Sequence, residues 1–129
     1  MNMPNIDDLI LAAKREEWDV VDRNIPNICN DPTVQERAIQ LLKDSDGNVR
    51  DLGASILGKS HLSSQILSKA KPILKKVMGG DENPYARYRA AFALAEHGGY
   101  NAQVMRVLQE ASEDKDIGDI ARKYLDRLK

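Results

Sequence analysis

Asp44-Ser45-Asp46-Gly47-Asn48-Val49-Arg50-Asp51-Leu52-Gly53-Ala54-Ser55-Ile56-Leu57-Gly58 returns 37 residues later as Asp81-Glu82-Asn83-Pro84-Tyr85-Ala86-Arg87-Tyr88-Arg89-Ala90-Ala91-Phe92-Ala93-Leu94-Ala95. Asp, Arg, Ala and Leu fall at matching steps of the two stretches. A weaker third copy runs from Ser112 to Asp126, aligning Ile117 with Ala86, Ala121 with Ala90 and Leu125 with Leu94, but Gly118 stands where the others have Arg50 and Arg87. Self-similarity at a near-fixed step marks a repeated supersecondary unit. Such a unit cannot bury its apolar face alone, so neighbours must stack. Gly53, Ala54, Ala90 and Ala91 are small enough to let adjacent helices approach closely, and the lost arginine near the C-terminus fits an atypical terminal repeat.

Working outward from these copies, apolar residues recur with helical spacing and no stretch alternates as a strand would. Ile6, Leu9, Ile10 and Ala13 share one face, opened by Asn5 or Asp7-Asp8 at the positive end of the helix dipole. Val20, Val21, Ile25 and Ile28 follow Trp18, with Pro26 expected to kink or end that helix. Asp31-Pro32 reads as an N-cap and first helical residue, leading to Val34, Ala38, Leu41 and Leu42. Ile66, Leu67, Ala70, Ile73, Leu74 and Val77 predict a long helix kinked at Pro72 and stopped by Gly79-Gly80. Asn83-Pro84 restarts the chain and Gly98-Gly99 stops it again. Val104, Val107, Leu108 and Ala111 form one more helix, and Ile117, Ala121, Tyr124, Leu125 and Leu128 the last. About eight helices result, joined by links short enough for antiparallel neighbours.

An Asp-rich turn, then Val-Arg, then Ala and Leu at core spacing resembles the HEAT-like repeats first recognised in phycobilin lyase subunits. The resemblance covers about Asp31–Leu128 and implies an all-α fold, an α-α superhelix (a HEAT/armadillo-like solenoid) of about four helical hairpins. The expected organisation is one domain over 1–129, with 1–30 a degenerate N-terminal pair or cap and hairpin repeats over 31–60, 61–98 and 99–129. The pattern is specific for fold and says little of function, because the family serves many purposes.

Composition narrows the classes. With 42% hydrophobic and 30% charged residues the chain is an ordinary globular one, and 5% aromatic residues mean a core of Leu, Ile, Val and Ala. Nineteen basic residues against 20 acidic ones give a net charge of −1, without the basic excess of a dedicated nucleic-acid binder. The lone Cys29 cannot form an internal disulfide, and Met1–Pro4 lacks the features of a signal peptide. The longest apolar run, Ala90–Ala95, is far below the ~20 residues of a membrane helix. The expectation is a cytoplasmic protein with no membrane association.

Chemistry-bearing residues are few. Arg50 with Asp46, and Arg87 with Asp81 or Asp46, recur at the same step of each copy, which predicts a structural ladder between repeats rather than catalysis. His61 and His97 have no ligand-type partner at helical spacing, and His97 reads as a cation at a helix C-terminus. The HEAT-like deoxyhypusine hydroxylases carry His-Glu pairs where this chain reads Arg50-Asp51 and Arg87-Tyr88, so their di-iron activity is not implied. Cys29 closes an apolar helix as a small buried hydrophobe. Neither Gly79-Gly80 nor Gly98-Gly99 follows a strand as a phosphate loop would. No enzyme activity, cofactor or metal is expected.

Two surface features remain. Tyr85, Tyr88 and Phe92 lie at i, i+3 and i+7, bordered by Arg89, the composition of an interface hot spot. The same stripe could instead pack against a neighbouring hairpin. Lys69, Lys71, Lys75 and Lys76 form a basic segment that reads first as a solvated helix face. The leading expectation is a protein-protein interaction or scaffold module that binds an unidentified protein partner through Tyr85, Tyr88, Arg89 and Phe92. Alternatives are an accessory subunit of a lyase-type protein-modifying enzyme, or weak nucleic-acid binding through Lys69–Lys76. Self-association as a homo-oligomer through the aromatic stripe also stays open.

Overall fold

Most helices start where the sequence supplies a cap. Asn5 and Asp8 form a reciprocal capping box at the head of α1 (Ile6–Lys14). Asp31 caps α3 (Pro32–Leu41), Asp46 caps α4 (Gly47–Lys59), Ser63 caps α5 (Ser64–Gly80), Asn83 caps α6 (Pro84–Glu96) and Asn101 caps α7 (Ala102–Ala111). Pro32 and Pro84 occupy the first helical position, where their missing N–H has no partner to lose. Only α2 (Trp18–Ile28) and α8 (Gly118–Asp126) begin without a side-chain cap. This computed structural model describes residues 4–127, so Leu128 lies outside the described residues. Among the described residues there are eight α-helices and no strand.

The helices pair as antiparallel hairpins and stack into an α-α superhelix. The second helices α2, α4, α6 and α8 pack side by side in one layer, and the first helices α3, α5 and α7 in the other. The first hairpin departs from this order, because α1 packs against α4 as well as its own partner α2. Leu52, Ile56, Leu57, Ala86, Ala90, Ala93 and Leu94 are fully or almost fully buried, so α4 and α6 form the centre of the core. Small residues set the spacing. A methyl added at Gly53 would lie 2.7 Å from the Ala38 carbonyl oxygen, so α3 and α4 meet backbone to backbone.

Two prolines lie inside helices and the paired glycines lie at helix ends. Pro26 does not end α2, which runs on to Ile28, and α5 continues past Pro72 for eight more residues. Both prolines are exposed, so the carbonyls they leave without an intrahelical partner can face water. Gly79 and Gly80 stop α5 as the sequence suggests, forming its final two residues. By contrast Gly98 adopts φ +81°, and the Gly99 N–H donates to the Leu94 carbonyl at 2.7 Å, closing α6 where the sequence requires glycine.

A buried polar cluster fastens the first hairpin to the next. Gln35, on α3, is 2% exposed, and its amide nitrogen donates to the Cys29 carbonyl at 2.9 Å and the His61 carbonyl at 3.2 Å. The Ser60 hydroxyl adds a 2.6 Å bond to the same Cys29 oxygen.

Candidate functional site

The turns between repeats place the arginines first. Arg50 reaches forward from α4 and grips Asp81 in the next turn, while its Nη1 donates to the Asp44 carbonyl at 2.8 Å. Asp46 faces its own helix, accepting from the N–H of Asn48 at 2.8 Å. Arg87 pairs with neither Asp46 nor Asp81. It meets Glu110 on α7 through two 3.2 Å bonds. In all three turns an aspartate, Asp44, Asp81 or Asp114, accepts from the N–H two residues on. Asp81 and Asp114 also receive a side chain from the preceding repeat, Asp114 from the Tyr85 hydroxyl at 2.9 Å.

The aromatic stripe of α6 divides. Tyr88 is 8% exposed, and its hydroxyl donates to Glu110 at 3.2 Å beneath the Arg87 guanidinium. Phe92 is 4% exposed and stacks on Tyr124 of α8, ring centres 5.5 Å apart. Tyr85 and Arg89 are half-buried and reach the surface of the second-helix layer. The stripe therefore joins α6 to its neighbours over most of its length, leaving Tyr85, Arg89 and an edge of Phe92 at an open groove.

That groove crosses the second helices as two adjoining hollows that share Ser55, Arg89 and Ile120. The larger, about 500 Å³, lies against Trp18 and Tyr85 and is lined by the carboxylates of Glu16, Asp19, Asp22, Asp51 and Asp116. The smaller, about 240 Å³, is floored by Phe92, Tyr124 and Ile120 and lined by Lys59, Arg89, Lys123 and Arg127. The division follows from helix polarity. Glu16, Trp18, Asn48, Tyr85 and Asp116 sit at or near the starts of their helices, whereas Lys59 and Arg127 sit at the ends of theirs.

At the junction Asp51, 6% exposed, lies 3.9 Å from Arg89 Nε and accepts from the Ser55 hydroxyl at 3.1 Å. Burial pushes its carboxyl up to about 6, against the downward pull of Arg89 and Ser55. At the far end Arg127 donates to Glu96 at 2.7 Å and lies 4.8 Å over the Tyr124 ring. That hydrogen bond holds Glu96 below the usual carboxylate range. Burial, then the charge of Glu96, raises the Tyr124 hydroxyl to about 12.

Trp18, Asp22, Asp51, Ser55, Lys59, Ile120, Lys123, Tyr124 and Arg127 complete the groove and were not singled out from the sequence. They come from α2, α4 and the end of the chain at α8, and only stacking brings them together with Tyr85, Arg89 and Phe92 of α6. The remaining candidates lie elsewhere. Lys69 is on the first-helix layer, paired with Glu36 at 3.0 Å, and Lys75 and Lys76 are exposed. The His97 ring Nε2 is 2.8 Å from the Leu57 carbonyl at the C-terminus of α6. Cys29 is 3% exposed, with Sγ 3.5 Å from the Lys59 carbonyl. Among the described residues no three His, Cys, Asp or Glu side chains converge as a metal site, and no helix is long and apolar enough to cross a membrane.

A family model of HEAT repeats matches residues 34–124, more than half of the chain. No curated protein and no solved structure matches it.

Proposed function

The chain belongs to the HEAT-repeat family, and from that premise we propose that it is a cytoplasmic protein-binding scaffold module with no catalytic activity of its own. HEAT repeats generally mediate protein-protein interaction or scaffolding. One observation supports a place for binding: the second-helix layer leaves open a groove lined by Tyr85, Arg89, Ile120 and Tyr124, at which Lys59 and Lys123 make no ion pair within 4.0 Å among the described residues. Aromatic rings and arginine at the centre of a partly desolvated concavity are what a protein interface uses as anchors. Repeat stacking makes the layer rigid, so a partner would meet a surface already in its binding shape.

The test is photo-crosslinking in a lysate of the source organism, with a benzophenone amino acid placed at Ile120 or Asp19 in the groove. Gln65, exposed on α5, serves as the control position. A discrete protein adduct from the groove positions and none from Gln65 supports the reading. Adducts from Gln65 alone, or none from either groove position, rejects the groove as the binding face. Nucleic acid in place of protein at Gln65 would move the function to the lysines of α5.

A further inference from the structure

The charge pattern of the groove narrows the class of partner, and this step rests on the groove being the binding face. Four cations and no carboxylate line the smaller hollow. Two of the four are already oriented: Arg89 lies 5.7 Å over the Phe92 ring and Arg127 4.8 Å over the Tyr124 ring, with those two rings stacked beneath. Glu96 and Asp51 hold the guanidiniums from behind, outside the residues that line the hollow. Lys59 and Lys123 have no ion pair within 4.0 Å among the described residues. Arg89 and Arg127 keep Asp51 and Glu96 as counter-charges, but the two lysines add two positive charges beside them with no ion pair of their own. Like charges gathered in this way oppose folding, and in a chain of 19 basic and 20 acidic residues composition does not force the gathering. An anionic group entering over the apolar floor would relieve the repulsion and meet donors already in place.

The neighbouring hollow decides what bears the anion. Five carboxylates begin at the shared wall of Ser55, Arg89 and Ile120. A polyanion laid along the groove would leave the cationic hollow straight into them, which disfavours nucleic acid. A protein segment meets both hollows when an acidic residue is followed or preceded within a few residues by a basic one, since an extended chain advances about 3.3 Å per residue. We propose that the groove binds an extended protein segment of mixed charge, its acidic side chain held among Lys59, Arg89, Lys123 and Arg127 and a nearby basic side chain in the hollow of Trp18 and Asp22.

A phage-displayed random dodecapeptide library, selected on the immobilised full chain at low salt and again on Lys59→Glu/Lys123→Glu, tests this. Both lysines are exposed, so the variant should keep its fold, which circular dichroism verifies. The expected result is enrichment of Asp or Glu at one position with Lys or Arg a few residues away. Synthetic copies of the selected peptides should bind the double variant at least about tenfold more weakly. Selection without acidic enrichment, no selection at all, or peptides that bind wild type and variant alike would each overturn the proposal. Retention of single-stranded DNA by wild type but not by the variant would also overturn it, assigning the hollow to phosphate. So would a dimer of the chain that dissociates in the variant. If groove crosslinks to a protein persist while the library shows no charge preference, only this inference fails and the scaffold reading stands.

Discussion

Arg50 and Asp81 form a two-point ion pair between successive repeats, Nε to Oδ2 at 2.6 Å and Nη2 to Oδ1 at 2.9 Å, with side chains 13% and 4% exposed. The same carboxylate accepts from the Asn83 N–H at 2.8 Å, so one aspartate both shapes the turn before α6 and ties it to α4. Burial pushes the Asp81 carboxyl up, but the hydrogen bonds from Arg50 and Asn83 outweigh it and leave the group below its usual 3.8. The folded pKa is depressed, so the stabilisation is present above the unfolded value and is lost as pH falls through the folded one. Arg50→Met should therefore cost about 2 kcal/mol at neutral pH. The gap from wild type should close in urea titrations as the pH falls below 3.8 and through the depressed folded pKa, and a gap independent of pH would mean that the arginine acts only through its packing.

Asp51 should show the opposite sign. Its pKa is raised to about 6, so protonation favours the folded state and a penalty grows as pH climbs from the unfolded value through 6. Asp51→Asn removes the penalty while keeping an acceptor for Ser55. Two pKa units correspond to about 3 kcal/mol as an upper bound. The variant should gain stability at pH 7.5 and match wild type near pH 3.5, read from denaturant midpoints. A loss at pH 7.5 would mean that the 3.9 Å contact with Arg89 outweighs the desolvation of the carboxylate.

Two glycines of α4 separate close approach from mere smallness. At Gly53 an added methyl would lie 2.7 Å from the Ala38 carbonyl oxygen and 3.0 Å from Leu41 Cβ, so Gly53→Ala must push α3 away. Overpacking of this kind costs about 1–3 kcal/mol, more than the roughly 1 kcal/mol that alanine gains in helix propensity. At Gly58 the nearest atom is Ala93 Cα at 3.4 Å, an ordinary contact, so Gly58→Ala should raise the melting temperature. Thermal unfolding of the two variants should move in opposite directions.

The fold was legible because repetition, caps and breakers agree. Asp31-Pro32 and Asn83-Pro84 start helices as read, and Gly98 turns the chain as read. Pro72 lies inside a long helix as read, although periodicity does not reveal whether the carbonyl it frees meets water. The groove was less legible, since it joins different steps of different copies. Asp51 aligns with Tyr88, yet its contact is Arg89, the residue aligned with Leu52. Comparing like positions therefore conceals this pair. Glu110, the partner of Arg87, lies on a first helix outside the copies altogether. Gln35 did leave a signal: it sits three residues before Ala38 and seven before Leu42, a polar side chain on an apolar stripe, which implies buried hydrogen bonds.

The aromatic stripe sets the last expectation. Tyr88 and Phe92 are nearly buried, and truncating such side chains removes large contacts without a way to refill the space. Tyr88→Ala and Phe92→Ala should each cost about 3–5 kcal/mol, enough to unfold a marginal domain. Lost partner capture by either variant would then report loss of fold. Arg89→Gln is the informative change: half-buried at the groove, it keeps most of the side-chain volume and removes the charge. Because it leaves the buried Asp51 carboxylate without its partner, the change should cost about 3 kcal/mol at neutral pH, so binding of an acidic segment, which should fall, is read on protein that circular dichroism shows to be folded. A folded Arg89→Gln protein that still crosslinks the same partner with undiminished affinity would exclude this guanidinium from the interface and leave Tyr85 and Ile120 as the remaining central anchors.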